Sequence, residues 1–226
     1  MTKNIWELNN LSNIKHEIFE DSHVWYVDEF YKYPDLVLEE ITSKKPPVWK
    51  SEDKETYNMI HFEDRRHMVY YPELEKVYDK IIDIIKSEDP GREKTGDYGQ
   101  LTTNHTLFYS DEESLKFNDY KNKWWWPHID SGYNGICYLD KECDGEIGTN
   151  LYRRSKNDPL YFNTPEHYRP WIEFEYWERI ASFKAKYNRF VLFDGSKYHH
   201  GMHIENDRYF KKFRVNQVFF FYDEDR

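Results

Sequence analysis

The sequence contains little cysteine and little glycine. Its only cysteines, Cys137 and Cys143, lie six positions apart without a third or fourth partner. That spacing resembles neither a disulfide framework nor a zinc site, so we expect two reduced thiols. With nine glycines in 226 residues, no stretch is rich enough in glycine or serine to separate two domains, and there is no internal repeat. We therefore expect a single domain over residues 1–226.

Long apolar runs and positive charge are also scarce. No apolar stretch is long enough to cross a bilayer, and the N-terminal residues carry neither an apolar run nor a small-residue cleavage site. This pattern predicts a cytoplasmic protein that does not contact a membrane. The 32 Lys and Arg residues are outnumbered by 42 Asp and Glu residues, for a formal net charge of −10. Because an acidic surface repels a phosphate backbone, nucleic acid is a disfavoured partner.

Aromatic residues are abundant. Hydrophobic residues make up only 38% of the chain, but aromatic residues reach 19%. Large rings bury the area that many smaller aliphatic side chains would otherwise supply. The chain can therefore form a sizeable core.

The apolar pattern changes character near residue 98. Before that point, Pro34 and Pro72 each begin a segment with apolar residues at helical spacing, and a short strand is predicted for residues 23–30. After it, short β-branched and aromatic segments alternate with turns, as is typical of strands. A polar stretch with three prolines, residues 153–172, is predicted to be a surface insertion.

This order of elements predicts an α+β, mainly β fold. We expect a jelly-roll core over about residues 98–222. The N-terminal helices, within about residues 1–97, should pack on one of its sheets.

The segment His128-Ile129-Asp130 is the strongest candidate for a metal site. In an extended segment, residues i and i+2 point to the same side, so the imidazole and the carboxylate can converge on one ion. A second histidine from a distant strand would complete a set of two histidines and one carboxylate, which is typical of non-haem Fe(II) oxygenases.

Three histidines near residue 200 are candidates for the third ligand. His199 follows the apolar strand at residues 190–193 after a turn, and we predict that it joins His128 and Asp130. His200 is the alternative, because neighbours on an extended segment face opposite ways and only one of the two can take part. We interpret His203 as a surface residue or an outer partner of the site.

Arg214 begins a strongly apolar strand. An arginine there is costly to bury unless an anion pairs with it. A carboxylate held by two parallel hydrogen bonds from the guanidinium is the expected partner, and a salt bridge at the strand end is the alternative.

Together these features resemble the Fe(II)/2-oxoglutarate-dependent dioxygenase superfamily, and in size and motif order its prolyl-hydroxylase-like branch. The resemblance covers roughly residues 98–222. It rests on the H-x-D triplet, the Gly145–Tyr152 turn, the segment Asn188–Gly195 leading to His199, and Arg214 on the last strand.

The resemblance implies a double-stranded β-helix with His128, Asp130 and His199 as iron ligands and catalytic centre. It also implies Fe(II), 2-oxoglutarate and O₂ as cofactor and cosubstrates, with Arg214 anchoring the 2-oxoglutarate C5 carboxylate. Arg208 is the competing anchor, because many members use its shorter spacing from the distal histidine. Related halogenases have Ala or Gly where this chain has Asp130, so we expect a hydroxylase.

The substrate is less constrained. Trp124, Trp125 and Trp126 directly precede the H-x-D triplet and are interpreted either as a stacking wall for substrate or as core packing. A peptidyl residue such as proline, or a small amino acid, is the expected substrate. Two other classes stay open: a non-catalytic jelly roll that binds a ligand, and a metal-dependent hydrolase that uses the same His/Asp/His set.

Overall fold

The structure is a computed structural model of the chain. It describes residues 4–43, 49–52, 62–68, 71–89, 94–96, 102–108, 123–125, 127–143, 148–158, 171–201 and 214–223. The helices in these ranges are Pro34–Ser43 (α1) and Glu75–Glu88 (α2), with short 3₁₀ turns at Leu11–Asn13, Pro72–Leu74 and Phe174–Tyr176. The strands are Lys15–Phe19 (β1), Ser22–Val27 (β2), Trp49–Glu52 (β3), Phe62–Met68 (β4), Lys94–Gly96 (β5), Thr102–Phe108 (β6), Lys123–Trp125 (β7), Tyr133–Tyr138 (β8), Thr149–Arg154 (β9), Trp171–Glu173 (β10), Trp177–Phe183 (β11), Phe190–Asp194 (β12), His199–Gly201 (β13) and Arg214–Asp223 (β14).

The described strands form mainly antiparallel sheets. A nine-stranded large sheet has the order β1-β2-β12-β8-β14-β6-β4-β3, with β5 paired to β14. A small sheet has the order β11-β9-β13, and a bridge between His128 and His200 adds the H-x-D segment to its edge. Strands β7 and β10 pair separately. The expectation of a mainly β protein is confirmed at this level.

Strand β12 shows why the chain folds in layers. It lies between β2 and β8, and all five of its residues are buried. One face joins a core shared with the helices, through Phe190 and Leu192. The other face, through Val191 and Phe193, joins a core that includes side chains of the small sheet. A strand covered on both faces needs a continuous apolar run, which the sequence has here.

Helix α2 packs on the outer face of the large sheet. Its apolar side chains Val77, Tyr78, Ile81, Ile82 and Ile85 are buried. The Tyr78 ring lies 5.3 Å, between centroids, from the rings of both Phe219 and Phe221 on β14. The predicted packing of an N-terminal helix on one sheet is therefore found.

Some boundaries differ from the prediction. The first 97 residues supply five strands, β1 to β5, besides the helices. Strands β3 and β4 were not predicted, because their polar residues lack the apolar alternation that marks a strand. The predicted insertion at 153–172 also starts too early, since β9 continues to Arg154; residues 159–170 lie outside the described ranges.

Asp28 ties the end of β2 to the turn before β12. Its carboxylate accepts hydrogen bonds from Arg189 Nη2 at 3.2 Å and Lys186 Nζ at 2.8 Å. The hydrogen bond from Arg189, helped by Lys186, outweighs burial and lowers the pKa of Asp28 to about 2.

We expect Asp28→Asn to lower the free energy of unfolding by at most about 1 kcal/mol near neutral pH, because the carboxylate is 38% exposed and solvent screens the pair. A folded-state pKa below the unfolded value stabilises the protein above the unfolded pKa, and this contribution is lost as the pH falls through the folded pKa. The difference in unfolding free energy between the wild type and Asp28→Asn should therefore shrink as the pH falls from about 4 to about 2. Urea unfolding at neutral pH and near pH 2 measures this difference. An equal difference at the two pH values would contradict the prediction.

Candidate metal centre

Three side chains from two segments meet at the β13 edge of the small sheet. His128 and His200 exchange backbone hydrogen bonds, with N to O distances of 3.0 and 2.7 Å. The backbone N–H of Asp130 donates to the carbonyl of Gly195 at 3.1 Å, and the N–H of Gly195 donates to Gly132 at 2.8 Å. These bonds hold the H-x-D segment beside β13 and the turn that follows β12.

The potential ligand atoms of His128, Asp130 and His200 all lie within 4.8 Å of one another. Asp130 Oδ2 is 3.1 Å from His200 Nε2 and 3.6 Å from His128 Nε2. The two imidazole rings are 4.4 Å apart between centroids. Ile129, between the two ligands of the triplet, is 45% exposed. The convergence of His128 and Asp130 expected from their i, i+2 spacing is therefore observed.

The prediction that His199 joins this cluster is wrong, and His200 takes its place. His199 pairs with Tyr152 in the small sheet, and its ring packs against Trp177 at 4.9 Å. His200 faces the other side, where it lies 4.9 Å from the Phe193 ring and is 4% exposed. Because successive side chains on a strand alternate, the number of residues in the turn before β13 decides which histidine faces inward.

The charges of the cluster suit metal binding. Burial alone would raise the pKa of Asp130, but hydrogen bonds and charge from His128 and His200 outweigh it and hold that pKa well below its usual range. Burial, with the nearby charge of His128, lowers the pKa of His200. Asp130 therefore stays ionised, and His200 loses its proton more readily than a free imidazole does; a carboxylate and a neutral imidazole are the forms that bind metal.

Asn134 is a member of the site that the sequence reading missed. It is 1% exposed, and its Nδ2 donates to Asp130 Oδ2 at 2.8 Å and lies 3.4 Å from His200 Nε2. Hydrogen bonds of this kind orient metal ligands. A polar residue within the apolar strand β8 was the available signal, but its contact with Asp130 depends on the fold of the intervening loop.

Arg214 is buried, as its position on an apolar strand predicted, and is 6% exposed. Its guanidinium carbon lies 5.7 Å from the centre of the Tyr138 ring, and the Tyr138 hydroxyl is 2.6 Å from Thr149 Oγ1. Asn216 pairs with Tyr138 across β14 and β8, and opposite residues in such a pair share a face. By alternation Arg214 and Asn134 therefore both face the space between the two sheets.

Several predicted residues fall outside the described part of the chain. These are Trp126, His203 and the competing anchor Arg208. The backbone of Trp124 and Trp125 forms part of β7. Their proposed contact with substrate stays a prediction.

Comparison of the sequence with known protein families and with curated proteins finds no match. Within the described residues, no helix is long and apolar enough to cross a membrane.

Proposed function

We propose that this protein is an Fe(II)- and 2-oxoglutarate-dependent dioxygenase that hydroxylates an unactivated C–H bond. The observation that carries the proposal is the cluster of His128, Asp130 and His200, which shares the space between the sheets with the buried Arg214. Two histidines and one carboxylate on one side of an ion leave its other positions open for cosubstrate and oxygen.

The order of the strands supports a double-stranded β-helix. Strands β6, β8, β12 and β14 lie in the large sheet, while the His128 segment, β9, β11 and β13 lie in the small one. Apart from β7 and β10, which pair with each other, successive segments from β6 to β14 alternate between the two sheets at every step except β9 to β11. Repeated crossing between two facing sheets is the topology of a jelly roll.

The side chains present fit a ferrous ion. Asp130 supplies the negative charge, and the Nε2 atoms of His128 and His200 both face its Oδ2 atom. Asn134 Oδ1 is buried and has no hydrogen-bond partner among the described residues, so it can accept from a water ligand. When bound, iron supplies the redox chemistry that couples hydroxylation of C–H to the conversion of 2-oxoglutarate and O₂ into succinate and CO₂.

Arg214 suits the binding of the distal carboxylate of 2-oxoglutarate. A guanidinium donates two parallel hydrogen bonds to a carboxylate, and burial next to the Tyr138 ring strengthens the pairing by excluding water. Asn134 and Arg214 share this inner face. We therefore propose that one carboxylate of 2-oxoglutarate binds at the ion and its distal carboxylate at Arg214.

Formation of succinate tests the proposal. The purified protein, loaded anaerobically with Fe(II) and exposed to O₂ and 2-oxoglutarate, should release succinate even without substrate. Absence of turnover with iron bound would favour the non-catalytic ligand-binding protein, and hydrolysis with zinc would favour the hydrolase. The substrate itself, a peptidyl residue or a small amino acid, stays a proposal.

We expect Arg214→Leu to raise the KM for 2-oxoglutarate roughly 10- to 100-fold, because it removes a hydrogen-bonded charge pair. The KM of Arg214→Lys should lie between those of the wild type and Arg214→Leu, since lysine keeps the charge but cannot form the bidentate pair of hydrogen bonds. Arg153→Leu is a control, because Arg153 is exposed and pairs with Glu178. Initial rates of succinate release at varied 2-oxoglutarate measure the KM. An unchanged KM in Arg214→Leu would assign the anchor to Arg208 or point to a different cosubstrate.

A further inference from the structure

A second group of metal-binding side chains lies on the β1–β2 hairpin. His16 pairs directly with Trp25, and His23 lies two residues before Trp25 on the same face. His16 Nε2 is 3.1 Å from His23 Nδ1. Trp25 belongs to the core shared with the helices, so this pair lies on the outer side of the large sheet, opposite the His128 cluster.

The two imidazole rings are held in place by stacking. The His16 ring is 4.9 Å from the Trp25 ring, at an angle of 11° between planes. It also stacks on His23, with centroids 5.1 Å apart and an angle of 21°. Rings whose orientation is already set lose little entropy when they bind a ligand.

A carboxylate lies on the far side of His16. His16 Nδ1 is 3.6 Å from Glu88 Oε2, at the end of helix α2. In the tautomer that carries its proton on Nδ1, next to Glu88, His16 presents the lone pair of Nε2 towards His23. A carboxylate that orients one nitrogen while the other binds metal is the usual environment of a histidine ligand.

We propose that His16 and His23 form a second metal site for a divalent transition ion that prefers imidazole, with Glu88 orienting His16. Nitrogen ligands at about 2.0–2.1 Å from one ion are themselves about 2.9 Å apart at right angles and about 3.3 Å apart in a tetrahedron. The observed 3.1 Å lies between these values. His16 is 23% exposed and Glu88 48%, so an ion and its water ligands can reach the pair.

The ion order follows from ligand chemistry. Imidazole suits Zn(II), Ni(II) and Cu(II), and for a given site affinity rises to Cu(II) and falls again at Zn(II). Cu(II) is therefore the most sensitive probe. The proposal does not depend on the dioxygenase function, because it uses none of that site's residues.

Titration of a variant that lacks the first cluster tests the second site. In a His128→Ala/His200→Ala background, the full chain should bind one Cu(II), and the electron paramagnetic resonance spectrum should show nitrogen hyperfine coupling from two imidazoles. Adding His23→Gln should weaken Cu(II) at least tenfold and remove one coupled nitrogen. Adding Glu88→Gln should weaken it about 10- to 100-fold while both nitrogens remain.

The outcome that overturns the site is equally specific. Unchanged Cu(II) affinity after His23→Gln, or a spectrum without two coupled nitrogens in the His128→Ala/His200→Ala protein, would leave only a hydrogen bond between two histidines. Thermal unfolding without metal monitors the fold of each variant. The spectrum of the His128→Ala/His200→Ala protein tests the site without any substitution in the β1–β2 hairpin.

Discussion

Replacing His200 with alanine should abolish tight Fe(II) binding, whereas replacing its neighbour His199 should leave binding intact. His200 Nε2 lies 3.1 Å from the Asp130 carboxylate, but His199 is on the opposite face of β13 against Trp177. Removing a direct ligand should reduce affinity by more than about 100-fold, the upper range for removing an outer partner of a ligand. Anaerobic titration with Fe(II), followed calorimetrically, measures both affinities.

The two histidines are a matched pair on one strand. The His199→Ala variant should lose the contact with the Trp177 ring, which costs about 0.5–1.5 kcal/mol of folding free energy. Succinate formation should follow the same division, absent in His200→Ala and retained in His199→Ala. Equal loss of iron in both variants would show that the inward-facing assignment of His200 is wrong.

The second large effect is expected at Gly195, which binds no metal itself. A Cβ atom at Gly195 would lie 2.6 Å from Asn134 Nδ2, 3.1 Å from Asn134 Cγ and 3.3 Å from the Gly132 carbonyl. Asn134 must then move, and its hydrogen bond to Asp130 is lost. We therefore expect Gly195→Ala to weaken Fe(II) binding about 10- to 100-fold, as loss of an orienting partner does.

A double variant separates this mechanism from general disruption. Asn134→Ala alone should weaken Fe(II) by a similar factor, because Asp130 loses its donor. Adding Gly195→Ala to Asn134→Ala should then cause little further loss, since the clashing amide is gone. If the two losses of Fe(II) affinity instead multiply in the double variant, the two substitutions do not share a mechanism.

Gly135→Ala provides the matched control. Its Cβ would lie 2.6 Å from the Phe190 ring, on the helix side of the same sheet. Overpacking there should lower stability by about 1–3 kcal/mol and leave Fe(II) affinity unchanged in the folded protein. Calorimetric titration and urea unfolding of the same preparations compare the two glycines.

The sequence alone identified features that depend on neighbouring residues. The convergence of His128 and Asp130 follows from the two-residue repeat of extended backbone, and the buried helix α2 follows from apolar residues at helical spacing. Burial of Arg214 was also predictable, because its strand is almost entirely apolar. Each of these inferences needs only a few consecutive residues.

Tertiary structure decided what depends on distant segments. The choice between His199 and His200 rests on the length of one turn and the register of β13 against β9. The contact of Asn134 with Asp130, and the distance between His16 and Glu88, exist only because separate elements pack together. A one-residue change in register exchanges the two faces of a strand. Composition and spacing therefore indicate which residues can form a site, and the fold determines which of them meet.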